Sequence, residues 1–165
     1  GGTGSIQFGS AATSSANPGD NALLVKFGPG GTALWAKCTS SAAVASRFTS
    51  VTVDPAGNVI AAGYIVGNSS AYDFGNGVTL TGTSSGNNAV VVKYDSAGTT
   101  LWAKTVASTG PESLANGIAA GPDGHLTLAG QMKGGSGQLD FGPGQILAPV
   151  NTATTNKLNP FIFHF

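Results

Sequence analysis

Only a few side chains of this sequence could perform acid–base, nucleophilic or metal chemistry: seven carboxylates, two histidines and one cysteine among 165 residues. The recurring aspartates could bind calcium, but a calcium loop gathers roughly six to eight oxygens, largely from carboxylates close together in one loop. Each of these aspartates instead stands alone among turn-forming residues, where its side chain accepts hydrogen bonds from nearby backbone N–H groups. We therefore predict turns, and no metal site, at Asp54, Asp73, Asp95 and Asp140.

The remaining chemical groups are too scattered to predict a catalytic site. His125 and His164 have no second His, Cys or Glu at the spacing of metal ligands, and Glu112 is the only glutamate, which excludes a pair of glutamates. No nucleophile motif such as G-x-S-x-G is present. Cys38 is the only cysteine and is expected to be a small buried residue. The prediction is a protein that is not an enzyme and uses no cofactor.

Two tryptophans could stack on sugar rings. Trp35 and Trp102 each lie between Leu and Ala, at the same position of an internal repeat. Repeated aromatic residues in repeat proteins usually fill the core between units, so a core position is the favoured interpretation. Sugar binding through a tryptophan, or through Tyr64 and Tyr72, is the alternative. Neither tyrosine recurs in the second copy of the repeat, which argues against a repeated sugar site.

The composition excludes one class of partner and favours one compartment. Charged residues make up 8% of the chain, against about 25% in a typical soluble domain, and seven basic residues balance seven acidic ones. Nucleic acid is therefore not expected as a partner, because phosphate binding needs a cationic face. The longest apolar run, Val59–Val66, is shorter than the about 20 residues of a membrane-spanning helix. A surface rich in Gly, Ser and Thr favours an extracellular or cell-surface location.

An internal repeat organises the chain. The segment Asn21-Ala-Leu-Leu-Val-Lys-Phe recurs 67 residues later as Asn88-Ala-Val-Val-Val-Lys-Tyr, and Leu34-Trp-Ala-Lys recurs at the same distance as Leu101-Trp-Ala-Lys. Such a repeat indicates one supersecondary unit copied along the chain, because a single unit cannot bury its apolar face alone. The copies are incomplete at both ends, so we expect a processed product or a piece of a longer protein. The predicted boundaries are a partial repeat over 1–20, repeat units over 21–87 and 88–154, and the terminal strand of a third partial unit over 155–165.

Within a unit, strands alternate with turns. The segment 50–66 is predicted to be a hairpin, because two apolar runs flank 54–57, where Pro and Gly favour a tight turn. A second hairpin is predicted over 89–106 around the turn 95–98. No window shows a convincing helical period and the glycine content disfavours helices. One helical turn over 111–115 is the only exception that we expect.

A motif string runs through the units, carried by Asp54, Gly57, Asn58, Gly63, Asp73, Phe74, Gly75, Lys93, Tyr94, Asp95, Gly98, Leu101, Trp102 and Lys104. It resembles the repeats of a bacterial β-propeller family of the SBBP type, over essentially the whole chain. The resemblance implies four-stranded blades and secreted or surface proteins, and it implies no catalytic residues. A propeller closes with about four to eight blades, so about two and a half units cannot close a ring in one chain. The expected fold is all-β, with tandem four-stranded antiparallel blade-like repeats of about 67 residues.

The last strand is expected to carry the function. The segment 161–165 is the most aromatic of the chain, and as a free edge it would present unpaired N–H and C=O groups beside large apolar side chains. A partner should cover it, either the incomplete N-terminal unit of the same chain or the matching unit of a second copy. The predicted assembly interface is Phe161, Ile162, Phe163 and Phe165, and the predicted repeat core is Trp35, Trp102, Phe74 and Phe141.

These expectations describe a non-enzymatic structural or assembly protein of the cell surface or extracellular space. Its incomplete terminal units would join copies of the chain into an oligomer or filament. The alternative is a lectin-like, carbohydrate-binding adhesion module with surface glycans as its partner.

Overall fold

The described part of the chain folds into β-strands joined by turns. The computed structural model describes residues 4–15, 19–40, 44–107, 110–133, 137–142, 146–148 and 157–165. All regular structure in these ranges is β-strand, which confirms the predicted all-β class. Within the same ranges, no helix has the length and hydropathy that a membrane crossing requires.

Every strand pairing among the described residues is antiparallel, as expected where short turns join neighbouring strands. The strands are β1 (Gly4–Phe8), β2 (Ala11–Ser15), β3 (Leu23–Phe27), β4 (Ala33–Cys38), β5 (Ser46–Val53), β6 (Val59–Val66), β7 (Ala71–Asp73), β8 (Thr79–Thr81), β9 (Asn87–Tyr94), β10 (Thr100–Thr105), β11 (Ser113–Ala120), β12 (Leu126–Lys133), β13 (Leu139–Asp140), β14 (Ile146–Leu147) and β15 (Leu158–His164).

Three sheets make up most of the described fold. The first sheet is the β3–β4 pair, the middle sheet has the order β10–β9–β6–β5, and the third sheet has the order β11–β12–β15. Three further hairpins, β1–β2, β7–β8 and β13–β14, form separate two-stranded sheets. None of the described sheets closes into a barrel. The propeller arrangement, the number of units and their boundaries stay predictions.

Strands recur at the spacing of the sequence repeat. β4 and β10 begin 67 residues apart, as do β5 and β11, and β6 and β12. β15 holds in the third sheet the place that β9 holds in the middle sheet. Val59 of β6 pairs with Tyr94, and Leu126 of β12 exchanges two backbone hydrogen bonds with Phe165. The third sheet therefore has counterparts of β5, β6 and β9.

Glycine turns close the hairpins. The Gly57 N–H donates to the Asp54 carbonyl over 2.9 Å and the Gly98 N–H to the Asp95 carbonyl over 3.1 Å. Gly57 and Gly98 have φ of 81° and 89°, in the left-handed region that glycine adopts without strain. The hairpins and turns predicted at 54–57 and 95–98 are confirmed.

The recurring aspartates complete these and similar turns. Oδ1 of Asp54 accepts hydrogen bonds from the N–H groups of residues 56 and 58, and Oδ1 of Asp95 accepts from those of residues 97 and 99. Asp73 and Asp140 each accept from the N–H two residues later. The prediction that these four aspartates build turns is confirmed.

The helical turn predicted at 111–115 is wrong. β11 begins at Ser113 and pairs with β12, with a register shift between Ala115 and Gly117. Ser113 and Ala115 point into the core, where they are almost fully buried, so tertiary burial decides the conformation of this small-residue segment.

The inner strand β9 of the middle sheet is covered on both faces. Val90 and Val92 pack in one cluster with Trp35 of the first sheet. Val91 packs in a second cluster with Leu128 and Phe163 of the third sheet. Residues 89–92 of β9 are therefore all apolar, because neither face of this part of the strand is exposed to water.

Candidate functional site

The last strand of the third sheet has one paired edge and one open edge. β15 pairs with β12 over seven residue pairs, whereas its counterpart β9 pairs with both β6 and β10. No strand among the described residues pairs with the other side of β15. Hereafter this side is called the open edge.

The register shows which backbone groups face the open edge. Phe165 exchanges both N–H···O bonds with Leu126, and in an antiparallel pair such residues alternate with residues whose N–H and C=O point away. Residues 160, 162 and 164 therefore face the open edge. Pro160 lacks an N–H, and an outward-facing position on an edge strand tolerates this loss.

The side chains of β15 alternate strongly in burial. Phe161 and Phe163 are 3% and 4% exposed, whereas Ile162 is 69% exposed. The ring of Phe163 lies edge-on to that of Phe141, with centroids 4.7 Å apart. Of the four residues predicted as an assembly interface, Phe161 and Phe163 thus lie in the core of the chain itself, while Ile162 is exposed and Phe165 half-buried. The alternation of the strand places its phenylalanines on the inner face.

A groove lies between the middle and third sheets, next to the end of β15. It has a volume of about 220 Å³, below the roughly 300–1,000 Å³ of a typical small-molecule site. We call it the Trp102 groove; it is lined by Val91, Trp102, Lys104, Leu126 and Phe165.

The residues predicted as repeat core are not equally buried. Trp35, Phe74 and Phe141 are buried, whereas Trp102 is half-buried. The turn 95–98 covers Trp35, whose Nε1 donates to the Ser96 carbonyl over 3.1 Å. Among the described residues, no turn covers Trp102 in this way. The repeat pattern predicts the same position for both tryptophans, but their exposure depends on the neighbouring segment.

A largely buried ion pair joins the turn between β5 and β6 to β9. Lys93 Nζ lies 2.8 Å from Asp54 Oδ2, and the carboxylate is only 4% exposed. The Lys93 ammonium, with hydrogen bonds from Asn58, lowers the pKa of Asp54 to about 2, although burial opposes this shift. The Lys93 side chain is therefore turned towards the carboxylate of this turn and not towards solvent.

Replacing Asp54 with Asn should make the free energy of unfolding less dependent on pH in the acidic range. The folded-state pKa of about 2 lies below the unfolded value of about 3.9. The carboxylate therefore stabilises the fold above this unfolded value, and the contribution is lost as the pH falls through about 2. At pH 7 we expect Asp54→Asn to lower the free energy of unfolding by about 2 kcal/mol.

Urea denaturation at a series of pH values measures this effect. The difference between wild type and Asp54→Asn should shrink between about pH 5 and pH 2. Asp123→Asn, which changes an exposed carboxylate of the corresponding turn in the third sheet, is the matched control and should have a smaller effect. A difference for Asp54→Asn that does not vary with pH would show that the ion pair does not stabilise the fold.

The two histidines lie together at the end of the third sheet. The rings of His125 and His164 stack with centroids 5.2 Å apart. His125 Nδ1 lies 2.9 Å from the Asp123 carboxylate, and His164 Nδ1 lies 3.2 Å from the Thr127 hydroxyl. The sequence did not predict this pairing, because residues 125 and 164 become neighbours only through the register of β12 and β15. Within the described ranges, no group of three or more His, Cys, Asp and Glu side chains could hold a metal ion.

The tyrosines of the alternative sugar site are not both accessible. Tyr72 is fully buried, and its hydroxyl donates to the Val66 carbonyl over 2.6 Å. Tyr64 is half-buried. Cys38 is half-buried, and burial raises the pKa of its thiol, which keeps the thiol protonated and weakly nucleophilic. Tyr72 therefore acts as a structural residue.

Comparison with models of known protein families finds no match, and a search of curated proteins finds none either. The resemblance to the β-propeller repeats thus stays a prediction from the sequence.

Proposed function

We propose that the chain is a non-enzymatic structural protein of the cell surface or extracellular space that assembles with copies of itself through the incomplete sheets at its two ends. The open edge of β15 carries this proposal. An edge strand with unpaired N–H and C=O groups is a template for pairing with another chain.

The other end of the chain offers a matching edge. β3 pairs with β4 alone among the described strands, although its counterpart β9 has two partners. Pairing of β15 with β3 of a second copy would extend both sheets and leave the cores of the two copies intact. Such a head-to-tail contact produces rings if the rotation closes and filaments if it does not.

The proposal fits a propeller-type arrangement with blade-like units. The middle sheet would be a complete four-stranded blade, and the first and third sheets would be partial blades. Carbohydrate binding is the alternative, and the half-buried indole of Trp102 supports it. The Trp102 groove offers Lys104 as its one charged side chain, which leaves few hydrogen-bond partners for sugar hydroxyls. Reproducible binding of one sugar class on a glycan array would favour the alternative.

A proline at position 162 should block assembly through the open edge. Ile162→Pro removes an N–H that faces away from β12, so the pairing of β15 with β12 keeps its hydrogen bonds. We expect light scattering to show a shift of at least about tenfold in the concentration at which copies associate, which corresponds to about 1.4 kcal/mol. Ile162→Ala is the matched control, because it removes the same side chain and keeps the N–H.

The melting temperature of each variant shows whether the fold is retained. Equal association of wild type, Ile162→Pro and Ile162→Ala would overturn the proposal that the open edge joins the copies. Loss of association in both variants would point to the exposed side chain of Ile162 instead of the backbone edge.

A further inference from the structure

In the middle sheet a fourth strand, β10, pairs with the edge of β9 that corresponds to the open edge of β15. β10 pairs with β9, and the turn that leads into β10 lies against Trp35 of the first sheet. A Cβ added at Gly98 would lie 2.8 Å from the indole ring of Trp35, so only glycine fits there with its present φ of 89°. The rings of Trp35 and Tyr94 are 5.9 Å apart. Trp35 and Tyr94 thus form a packing surface for a glycine turn.

The Trp102 groove has the features of the same packing surface. Trp102 stands 67 residues after Trp35, and Phe165 holds the position in the third sheet that Tyr94 holds in the middle sheet. Both residues line the groove. The open edge begins beside it, with outward backbone groups at residues 162 and 164. A packing surface for a glycine turn therefore lies directly beside an unpaired strand edge.

We propose that the open edge and the Trp102 groove together bind an extended polypeptide segment of the β10 type, in which a glycine turn precedes a strand. The glycine would lie on the indole of Trp102, and the strand that follows would pair with β15. Strand addition of this kind gains affinity from main-chain hydrogen bonds and specificity from the pocket. The sequence Gly-Thr-x-Leu-Trp-Ala-Lys, which occurs at 31–37 and at 98–104, defines the segment that fits.

This inference rests on the open edge that the proposed function also uses, but it assigns a different occupant to that edge. The two occupants exclude each other, because β15 has only one open edge. A bound segment should therefore compete with copies of the chain. The segment also covers Trp102.

A synthetic peptide of residues 95–106 with a fluorescent label tests the site on the full chain. We expect saturable binding, measured by fluorescence anisotropy. The affinity should fall at least about tenfold for the same peptide with Gly98→Val, because a β-branched residue disfavours positive φ and its Cβ would overlap the indole. It should fall similarly for the Trp102→Ala and Ile162→Pro variants of the protein, and change less than about twofold for Ile162→Ala, which keeps the outward N–H.

Hydrogen exchange provides a second measurement on the unmodified protein. Peptide binding should slow exchange at the amides of Ile162 and His164, which face the open edge. Absence of binding, or binding that leaves these amides unchanged and is insensitive to Trp102→Ala, would overturn the inference. Light scattering without peptide reports on self-assembly separately. A chain that stays monomeric but binds the peptide contradicts only the proposed self-assembly, and one that assembles but does not bind the peptide contradicts only this inference.

Discussion

Replacing Gly63 with alanine should lower the free energy of unfolding by about 3 kcal/mol or more. A Cβ at this position would overlap the carbonyl oxygen of Arg47 and lie 2.9 Å from the Cα of Phe48. Both atoms belong to the backbone of β5, next to the register shift between Phe48 and Ser50. A side chain can rotate away from such an overlap, but a paired backbone cannot without losing its hydrogen bonds.

The corresponding glycine of the third sheet should behave in the same way. Gly130 lies opposite the register shift of β11, and a Cβ there would overlap the carbonyl oxygen of Leu114. Gly117→Ala is the matched control, because nothing lies within 4 Å of the Cβ that it would add. Urea denaturation should show losses for Gly63→Ala and Gly130→Ala, and a change of less than about 1 kcal/mol for Gly117→Ala. Equal effects at all three positions would contradict the close approach of the strands.

Phe163→Ala should destabilise the protein by about 3–5 kcal/mol. The side chain is 4% exposed and contacts Phe141 in the cluster that joins the middle and third sheets. Its removal leaves a cavity between two sheets whose backbones are held by their own hydrogen bonds, so the site cannot collapse to fill it.

The neighbouring residue on β15 gives the comparison for this prediction. Ile162 is 69% exposed, so Ile162→Ala should change the free energy of unfolding by less than about 0.5 kcal/mol. Thermal or urea denaturation at low protein concentration, where copies do not associate, measures both effects. A larger loss for Ile162→Ala than for Phe163→Ala would mean that β15 presents its phenylalanines to the outside.

Local chemistry explains why the hairpins could be predicted from the sequence. The turns at 54–57 and 95–98 combine Asp and Gly at positions where a side chain caps backbone N–H groups and the glycine adopts positive φ. These interactions lie within five residues, so the sequence contains all of their determinants. The recurrence of the motifs extended the same prediction along the chain.

The features that were missed depend on contacts between distant segments. Lys93 meets Asp54 only because β6 and β9 are neighbours, and His125 meets His164 only through the register of the third sheet. The exposure of Trp102 depends on which segment covers it, which the residue type does not determine. Burial likewise determines that residues 113–120 form a strand, although the local sequence predicted a helical turn over 111–115.

Sedimentation velocity of the full chain over a wide range of concentrations decides whether the open edge joins copies of the protein. We expect a species of 16.2 kDa at the lowest concentrations and species of integral multiples of this mass as the concentration rises. Ile162→Pro should remain at the mass of one chain over the same range, with Ile162→Ala following the wild type. A single species of 16.2 kDa for the wild type at every concentration would contradict assembly through β15.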